Sequence, residues 1–193
     1  MQNEIKSDLQ KHLTPFRYNH TIMVAEVAKK IAKHYNLDEE KTYLAGLTHD
    51  IAKDFNEQEN KYWIQKYKIN KKWLTPELEP ILHAEIGYYV IKEKYDLEEE
   101  ICNAVRFHTI GNINMSTLAK IIFIADKIAR KNRPKELEEI AVLVYQDIDK
   151  ALLLCLQQQE KHLNDQGKSM HPDTQLLLNK LKQEKILKNA NHK

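Results

Sequence analysis

The sequence predicts an all-α protein made of a single helical domain. Only 4 of its 193 residues are glycine and 5 are proline, and apolar residues recur at three- and four-residue intervals, the period of an amphipathic helix. No segment alternates apolar and polar residues as a half-buried strand does. Because no stretch rich in proline, glycine or serine divides the chain, we predict one bundle over residues 1–183, followed by a polar, frayed tail over residues 184–193.

Cap residues indicate where the helices begin. Thr14-Pro15 combines a helix cap with proline at the first helical position and predicts the first helix, which runs to about Tyr35. Asp38, followed by two glutamates, predicts a second helix that contains the segment LTHDIAK, residues 47–53. Further starts are predicted at Thr75-Pro76, between Asp96 and Glu99, at Ser116, at Pro134 and, for a short last helix, near Pro172.

The charge balance and the apolar segments exclude several classes of protein. The 30 lysines and arginines nearly balance the 28 aspartates and glutamates, so the composition does not indicate the basic surface of a nucleic-acid or membrane-surface protein. The N-terminal segment lacks the apolar core of a signal peptide, and the longest apolar run, residues 121–125, is too short to span a bilayer. We therefore expect a cytoplasmic protein with no nucleic-acid or membrane partner. Its oligomeric state is left open, with a dimer as one possibility.

Polar side chains interrupt the apolar faces of several predicted helices. An isolated histidine at such a position is usually a core residue bonded to a backbone carbonyl. A buried carboxylate is harder to explain, because its desolvation costs several kcal/mol unless it is paired with or bound to a cation. The residues at such positions are His20, His49, Asp50, His83, His108 and Asp126.

This set of side chains favours a metal site. Neutral imidazoles and carboxylates suit iron, manganese, cobalt or zinc, whereas calcium and magnesium prefer oxygen ligands. Four histidines and two aspartates exceed the needs of one tetrahedral ion but suit two neighbouring ions with open positions. Because adjacent residues of a helix point about 100° apart, His49 and Asp50 reach one cluster from different sides, which is easier if Asp50 spans two metal ions.

Five segments together resemble a known family. They read, in order, RYNHTIMVAEVAKKIA, AGLTHDIAK, ILHAEIG, AVRFHTIGNINMSTLAKIIFIADKI and HPDT. They are similar to segments of the HD-domain phosphohydrolase superfamily and, within it, of the YqeK family of symmetrical diadenosine tetraphosphate hydrolases. The resemblance covers residues 17–182. It implies an HD-domain helical bundle that cleaves this dinucleoside polyphosphate into two molecules of ADP with a metal-activated water.

The resemblance also implies a two-iron centre and assigns the residues of the site. Its metal ligands fall on the six residues that the periodicity picks out. Its catalytic residues fall on Asp50, Lys53, His83 and His108. Its substrate contacts fall on His20, Lys53, His83, His108, Thr109, Arg133, His171, Pro172, Asp173 and Thr174. The chain departs from the family after Asp126, where KIARKNR stands in place of the commoner YIEPNR, so how the phosphates or the base are held beside that helix is open.

Four of these residues also have simpler interpretations. Lys53 lies one helical turn after His49, where its ammonium would neutralise a phosphate, or it is an exposed lysine. The pair His171-Pro172 begins a helix whose free amides suit an anion, or it is simply a cap. Arg133 would form a forked phosphate contact or interact with the end of the preceding helix.

Other functions also fit the sequence. The ligand set specifies phosphoryl chemistry better than it specifies a base, so a nucleotidase or phosphodiesterase acting on another nucleotide is an alternative. A nucleotide-binding regulator without turnover is a third possibility, although the intact set of six ligands argues against it. The segment NKKW, residues 70–73, lies near three aromatic residues that would suit nucleic-acid stacking. We favour a short amphipathic helix that covers the core.

Overall fold

A computed structural model of the chain describes residues 1–70, 79–130 and 133–190. Within these ranges it contains ten helices and no strand, which confirms the predicted all-α class. No helix in this part of the chain is long and apolar enough to cross a membrane. The helices are α1 (Gln2–His12), α2 (Pro15–His34), α3 (Glu39–Thr48), α4 (Glu57–Tyr67), α5 (Glu79–Tyr95), α6 (Glu99–Phe107), α7 (Thr117–Ile128), α8 (Lys135–Leu143), α9 (Ile148–Asp165) and α10 (Pro172–Ala190).

Most helix starts follow the predicted cap residues. The side-chain oxygens of Thr14, Asp38 and Ser116 each accept a hydrogen bond from the backbone N–H three residues later. These bonds satisfy amides that the first turn of a helix leaves free. The start predicted at Thr75-Pro76 lies outside the described residues. The starts predicted near residues 96–99, 134 and 172 are observed at α6, α8 and α10.

Several helices differ from the prediction. Helix α1 precedes the helix predicted as the first, and it buries Ile5 and Leu9. The predicted helix starts include neither the start of α4 nor that of α9. Helix α3 ends at Thr48, so the histidine-aspartate pair lies in the turn that follows it and not within it. Helix α10 is long and not short, and it continues through residue 184, where the predicted polar tail begins.

Helix α7 forms the centre of the bundle. Its residues from Leu118 to Ala125, apart from Lys120, are all buried, and it packs against α2, α3, α6, α8 and α9. A helix that is apolar on nearly every side is expected at the core and not on the surface. Asp126 directly follows this buried segment and is partly exposed. Its carboxylate therefore lies where the core meets the surface of the bundle.

Helix α1 is fastened to α5 by Asp8. Its carboxylate lies 2.7 Å from the ammonium of Lys94 and accepts a hydrogen bond of 2.8 Å from the hydroxyl of Tyr95. These two hydrogen bonds lower the pKa of Asp8 to about 2. We expect Asp8→Asn to lower the free energy of unfolding by about 1 kcal/mol at pH 7, because it removes a charged acceptor from both donors.

The same contact predicts a dependence on pH. An aspartate has a pKa of about 3.9 in an unfolded chain, so the lower folded-state value stabilises the protein above about pH 4, and this contribution is lost as the pH falls toward about 2. Urea denaturation at pH 7 and pH 3 should therefore show a smaller gap between wild type and Asp8→Asn at pH 3. The control is the same change at Asp165, an exposed residue at the end of α9. Equal stabilities of Asp8→Asn and wild type at pH 7 would contradict the assignment.

Candidate metal centre

Five helices bring the six predicted ligands together. Two of the predicted ligands, His49 and His108, directly follow a helix. Helix α3 ends one residue before His49, and helix α6 ends one residue before His108. His20 and Asp126 are partly exposed, whereas the other four residues are buried. The cluster is therefore open to solvent on the side of α2 and α7. The predicted ligands are His20 on α2, His49 and Asp50 after α3, His83 on α5, His108 after α6 and Asp126 on α7.

Asp50 belongs to two groups of three potential ligands. The first group joins it to His83 and His108, and the second joins it to His20 and His49; within each group the ligand atoms lie within 4.8 Å of one another. Its Oδ1 is 3.1 Å from Nε2 of His83 and 3.5 Å from Nε2 of His108. Its Oδ2 is 3.4 Å from Nε2 of His49. A carboxylate shared in this way fits the predicted bridge between two ions.

Asp126 adds a second carboxylate to the group that contains His20 and His49. Its Oδ1 lies 3.0 Å from Nε2 of His20 and 3.6 Å from Nε2 of His49. Asp126 approaches from α7, and Oδ2 of Asp50 lies 3.4 Å from the same Nε2 atom of His49. Both carboxylates therefore face one nitrogen of the His49 ring.

Backbone hydrogen bonds orient the two buried rings that follow α3 and α6. Nδ1 of His49 donates to the carbonyl of Gly46, and Nδ1 of His108 donates to the carbonyl of Val105, each at 2.7 Å. Because each Nδ1 keeps its proton in this hydrogen bond, Nε2 is the nitrogen that offers a lone pair to a metal ion when the ring carries no second proton. Nε2 of His49 is buried and has no hydrogen-bond partner among the described residues. A divalent metal ion would bind this nitrogen, so the set of donor atoms fits such an ion.

The carboxylates of Asp50 and Asp126 favour a positive charge inside the cluster. Burial alone would lower the pKa of His49, but Asp50 and Asp126 outweigh burial and raise this pKa to about 10. Burial lowers the pKa of His83, to about 4, and also the pKa of His108, so these rings are neutral and suited to bind a metal. A divalent ion would supply this positive charge and displace the proton from His49.

The geometry predicts stabilisation by transition metals. At a free metal concentration 100 times the dissociation constant, binding to the folded state alone adds about 2.7 kcal/mol. We expect Mn²⁺, Co²⁺ or Fe²⁺, added after dialysis against a chelator, to raise the melting temperature measured by circular dichroism. Mg²⁺ at the same concentration should raise it less, because imidazole nitrogen is a poor ligand for it. An equal or larger effect of Mg²⁺ would contradict the assignment of the histidines.

Two predicted substrate residues lie beside this cluster. Lys53, in the turn after α3, is half-buried; its ammonium donates to the carbonyl of Pro80 at 3.0 Å and lies 3.2 Å from Nδ1 of His83. Burial lowers the pKa of Lys53. Thr109 follows His108, and its buried hydroxyl has no hydrogen-bond partner in the described part of the chain. Their contact with a substrate stays a prediction.

The remaining predicted substrate residues lie at the start of α10 and before α8. His171 caps α10, since its Nδ1 accepts the backbone N–H of Asp173 at 3.2 Å. Thr174 is fully buried and donates its hydroxyl to the carbonyl of Ile110 at 2.7 Å, which fastens α10 to the loop after α6. Pro172 is the first residue of α10. Arg133 lies 3.4 Å from the carboxylate of Glu138 on α8, the following helix.

Two basic residues at the cluster are not among the predicted site residues. Arg17 bonds to Asp50 and Lys127 bonds to Asp126. Arg17 lies three residues before His20, a spacing that places both on one face of α2. This spacing was the available signal.

The fold and the site define an HD domain. The HD domain family model matches residues 17–131, and the chain belongs to this family. It is 34% identical to the symmetrical bis(5'-nucleosyl)-tetraphosphatase of Halalkalibacterium halodurans, over 90% of this chain and 92% of that protein. It is 30% identical to the enzyme of the same name from Bacillus subtilis, over 92% and 96% of the two chains. These similarities confirm the resemblance that the five segments indicate.

A solved structure has the same fold. It is described as a predicted HD superfamily hydrolase involved in NAD metabolism from Clostridium acetobutylicum. The two chains superpose with a TM-score of 0.87 at 30% sequence identity, and the match covers 95% of this chain and 98% of that one. The likeness thus extends over the whole helical domain, including the helices after residue 131.

Proposed function

We propose that this protein is a metal-dependent hydrolase that cleaves diadenosine tetraphosphate at its centre and releases two molecules of ADP. The observation that carries the proposal is the position of Asp50, shared by two groups of potential metal ligands. Two adjacent metal positions suit the hydrolysis of a phosphoric anhydride. The names of relatives that match over most of their length support the choice of substrate. The proposal includes a cytoplasmic location for this hydrolase.

The proposed cofactor is a pair of transition-metal ions, iron in the first place, with manganese, cobalt or zinc as alternatives. The mixture of imidazole and carboxylate donors supports this choice over calcium or magnesium. When bound, such ions supply Lewis-acid chemistry, which activates a water molecule and neutralises phosphoryl oxygens. The proposed ligands are His20, His49, Asp50, His83, His108 and Asp126.

The surrounding residues suit a polyphosphate. Lys53 is held beside His83, where its ammonium would neutralise phosphate oxygens once it leaves the Pro80 carbonyl. The amides at the start of α10 favour an anion because they carry the positive end of the helix dipole. The proposed substrate contacts are His20, Lys53, His83, His108, Thr109, Arg133, His171, Pro172, Asp173 and Thr174.

Competing substrates test this function. Protein loaded with Fe²⁺ under reducing conditions is incubated with diadenosine tetraphosphate, ATP, ADP and a cyclic dinucleotide, and kcat/KM is measured for each. The proposal predicts the highest value for diadenosine tetraphosphate. A higher value for a mononucleotide would indicate a nucleotidase, and a higher value for the cyclic dinucleotide a phosphodiesterase. Nucleotide binding without any product from metal-loaded protein would indicate a regulator.

A further inference from the structure

Each carboxylate of the cluster is bound by one basic side chain. Nη1 of Arg17, from α2, lies 2.8 Å from Oδ2 of Asp50. The ammonium of Lys127, from α7, lies 2.7 Å from Oδ2 of Asp126 and 5.3 Å from the centre of the Phe123 ring. Both bases are partly shielded, with side-chain exposures of 27% and 29%. Hydrogen bonds to charged groups in such surroundings are stronger than those between exposed side chains.

The two carboxylates divide their oxygens in the same way. Oδ1 of Asp50 faces Nε2 of His83 and His108, at 3.1 and 3.5 Å. Oδ1 of Asp126 faces Nε2 of His20 and His49, at 3.0 and 3.6 Å. In both cases Oδ2 is the atom that the basic side chain holds.

We propose that Arg17 and Lys127 are positioning residues for the metal centre. The terminal torsion of an aspartate is broad, so a carboxylate needs a fixed partner if one chosen oxygen is to face the ligands around it. Arg17 and Lys127 supply this partner at Oδ2 and thereby hold each Oδ1 toward the histidines. Each oxygen has two lone pairs, so Oδ2 of Asp50 can accept from Arg17 and still bind an ion near His49. The inference rests on the metal site of the proposed function.

A positioning role and a purely electrostatic role predict opposite results. Arg17 and Lys127 add positive charge near the cluster, and this charge alone would repel a metal ion. If the bases act only by charge, their removal should tighten metal binding. If they fix the carboxylates, their removal should weaken it. Changes in residues that hold metal ligands typically weaken binding by about 10- to 100-fold.

The test measures the dissociation constant for Mn²⁺ by competition with a chelator. Arg17→Gln and Lys127→Gln should each weaken binding by about 10- to 100-fold, and Arg17→Lys should recover part of the loss because it keeps a donor and the charge. The controls remove ion pairs from the same helices. Lys29→Gln breaks the 3.1 Å contact of α2 with Glu40, and Lys120→Gln breaks the 2.7 Å contact of α7 with Asp149; both should bind Mn²⁺ as the wild type does.

Three outcomes would overturn the inference. The first is unchanged or tighter binding in both glutamine variants while the wild type binds Mn²⁺. The second is an equal loss of affinity in the control variants. The third is a fall in the melting temperature of the metal-free variants that accounts for the loss, which would make the role one of folding. Failure of the wild type to bind any transition metal would instead contradict the proposed function.

Discussion

Replacing Asp50 with alanine is expected to lower kcat/KM for hydrolysis by at least about 1,000-fold, since changes even in the partners of metal ligands cost about 10- to 100-fold. Asp50 is common to both groups of potential ligands, and its two oxygens face different histidines. The change would therefore remove a ligand from both of the proposed metal positions at once. We expect the metal content of the purified protein, measured by elemental analysis, to fall together with the activity.

The control for this variant is Asp54→Ala. Asp54 lies in the same turn after α3, but its carboxylate accepts the backbone N–H of Thr14 at 2.8 Å, outside the cluster. It should keep the metal content of the wild type and most of its activity. Full activity in Asp50→Ala would contradict the proposed mechanism, because no other residue of the described structure joins the two groups.

Gly46→Ala is expected to disturb both the fold and the metal site. A Cβ at this position would lie 2.7 Å from Cα and 3.1 Å from N of Ala25 in α2, closer than side-chain carbons approach a backbone. Helices α2 and α3 must separate, and overpacking of this kind typically costs about 1–3 kcal/mol. The carbonyl of Gly46 also orients the ring of His49. Urea denaturation of metal-free protein should show the loss of stability, and chelator competition should show weaker Mn²⁺ binding.

A second glycine separates the effect of crowding from the effect of backbone strain. Gly167 has a φ of +67° after α9, and a Cβ built there meets no atom of the described residues within 4 Å. Gly167→Ala should cost about 1 kcal/mol through the strain of a left-handed conformation and leave Mn²⁺ affinity unchanged. If Gly46→Ala is as stable as the wild type, the prediction of a costly clash between α2 and α3 is wrong.

The identity of the cluster follows from the sequence better than its geometry does. The six polar residues stand out because they interrupt apolar stripes at helical spacing, and the structure places them together. The end of α3 does not follow from this pattern. After Thr48 the backbone hydrogen bonds change from four-residue to three-residue spacing. At the same place, Nδ1 of His49 donates a hydrogen bond to the carbonyl of Gly46. A pattern of apolar residues shows neither of these contacts.

The basic partners of the carboxylates were missed for a related reason. Arginine and lysine are expected on solvated faces, so a pattern of apolar residues gives them no weight. Arg17 and Lys127 reach Asp50 and Asp126 because long side chains extend from the edge of the bundle toward buried charge. The pattern of apolar residues does not indicate helix α1, because only two of its residues, Ile5 and Leu9, are buried within an otherwise polar segment.

The most direct test of the proposed reaction is mass spectrometry of the products formed from diadenosine tetraphosphate in ¹⁸O-labelled water by iron-loaded protein. Attack of water on either central phosphorus releases two ADP molecules, of which one carries the new oxygen. We therefore expect ADP as the sole nucleotide product, with the label on the terminal phosphate of half of the molecules. ATP together with AMP, or no product from metal-loaded protein, would contradict the proposed function.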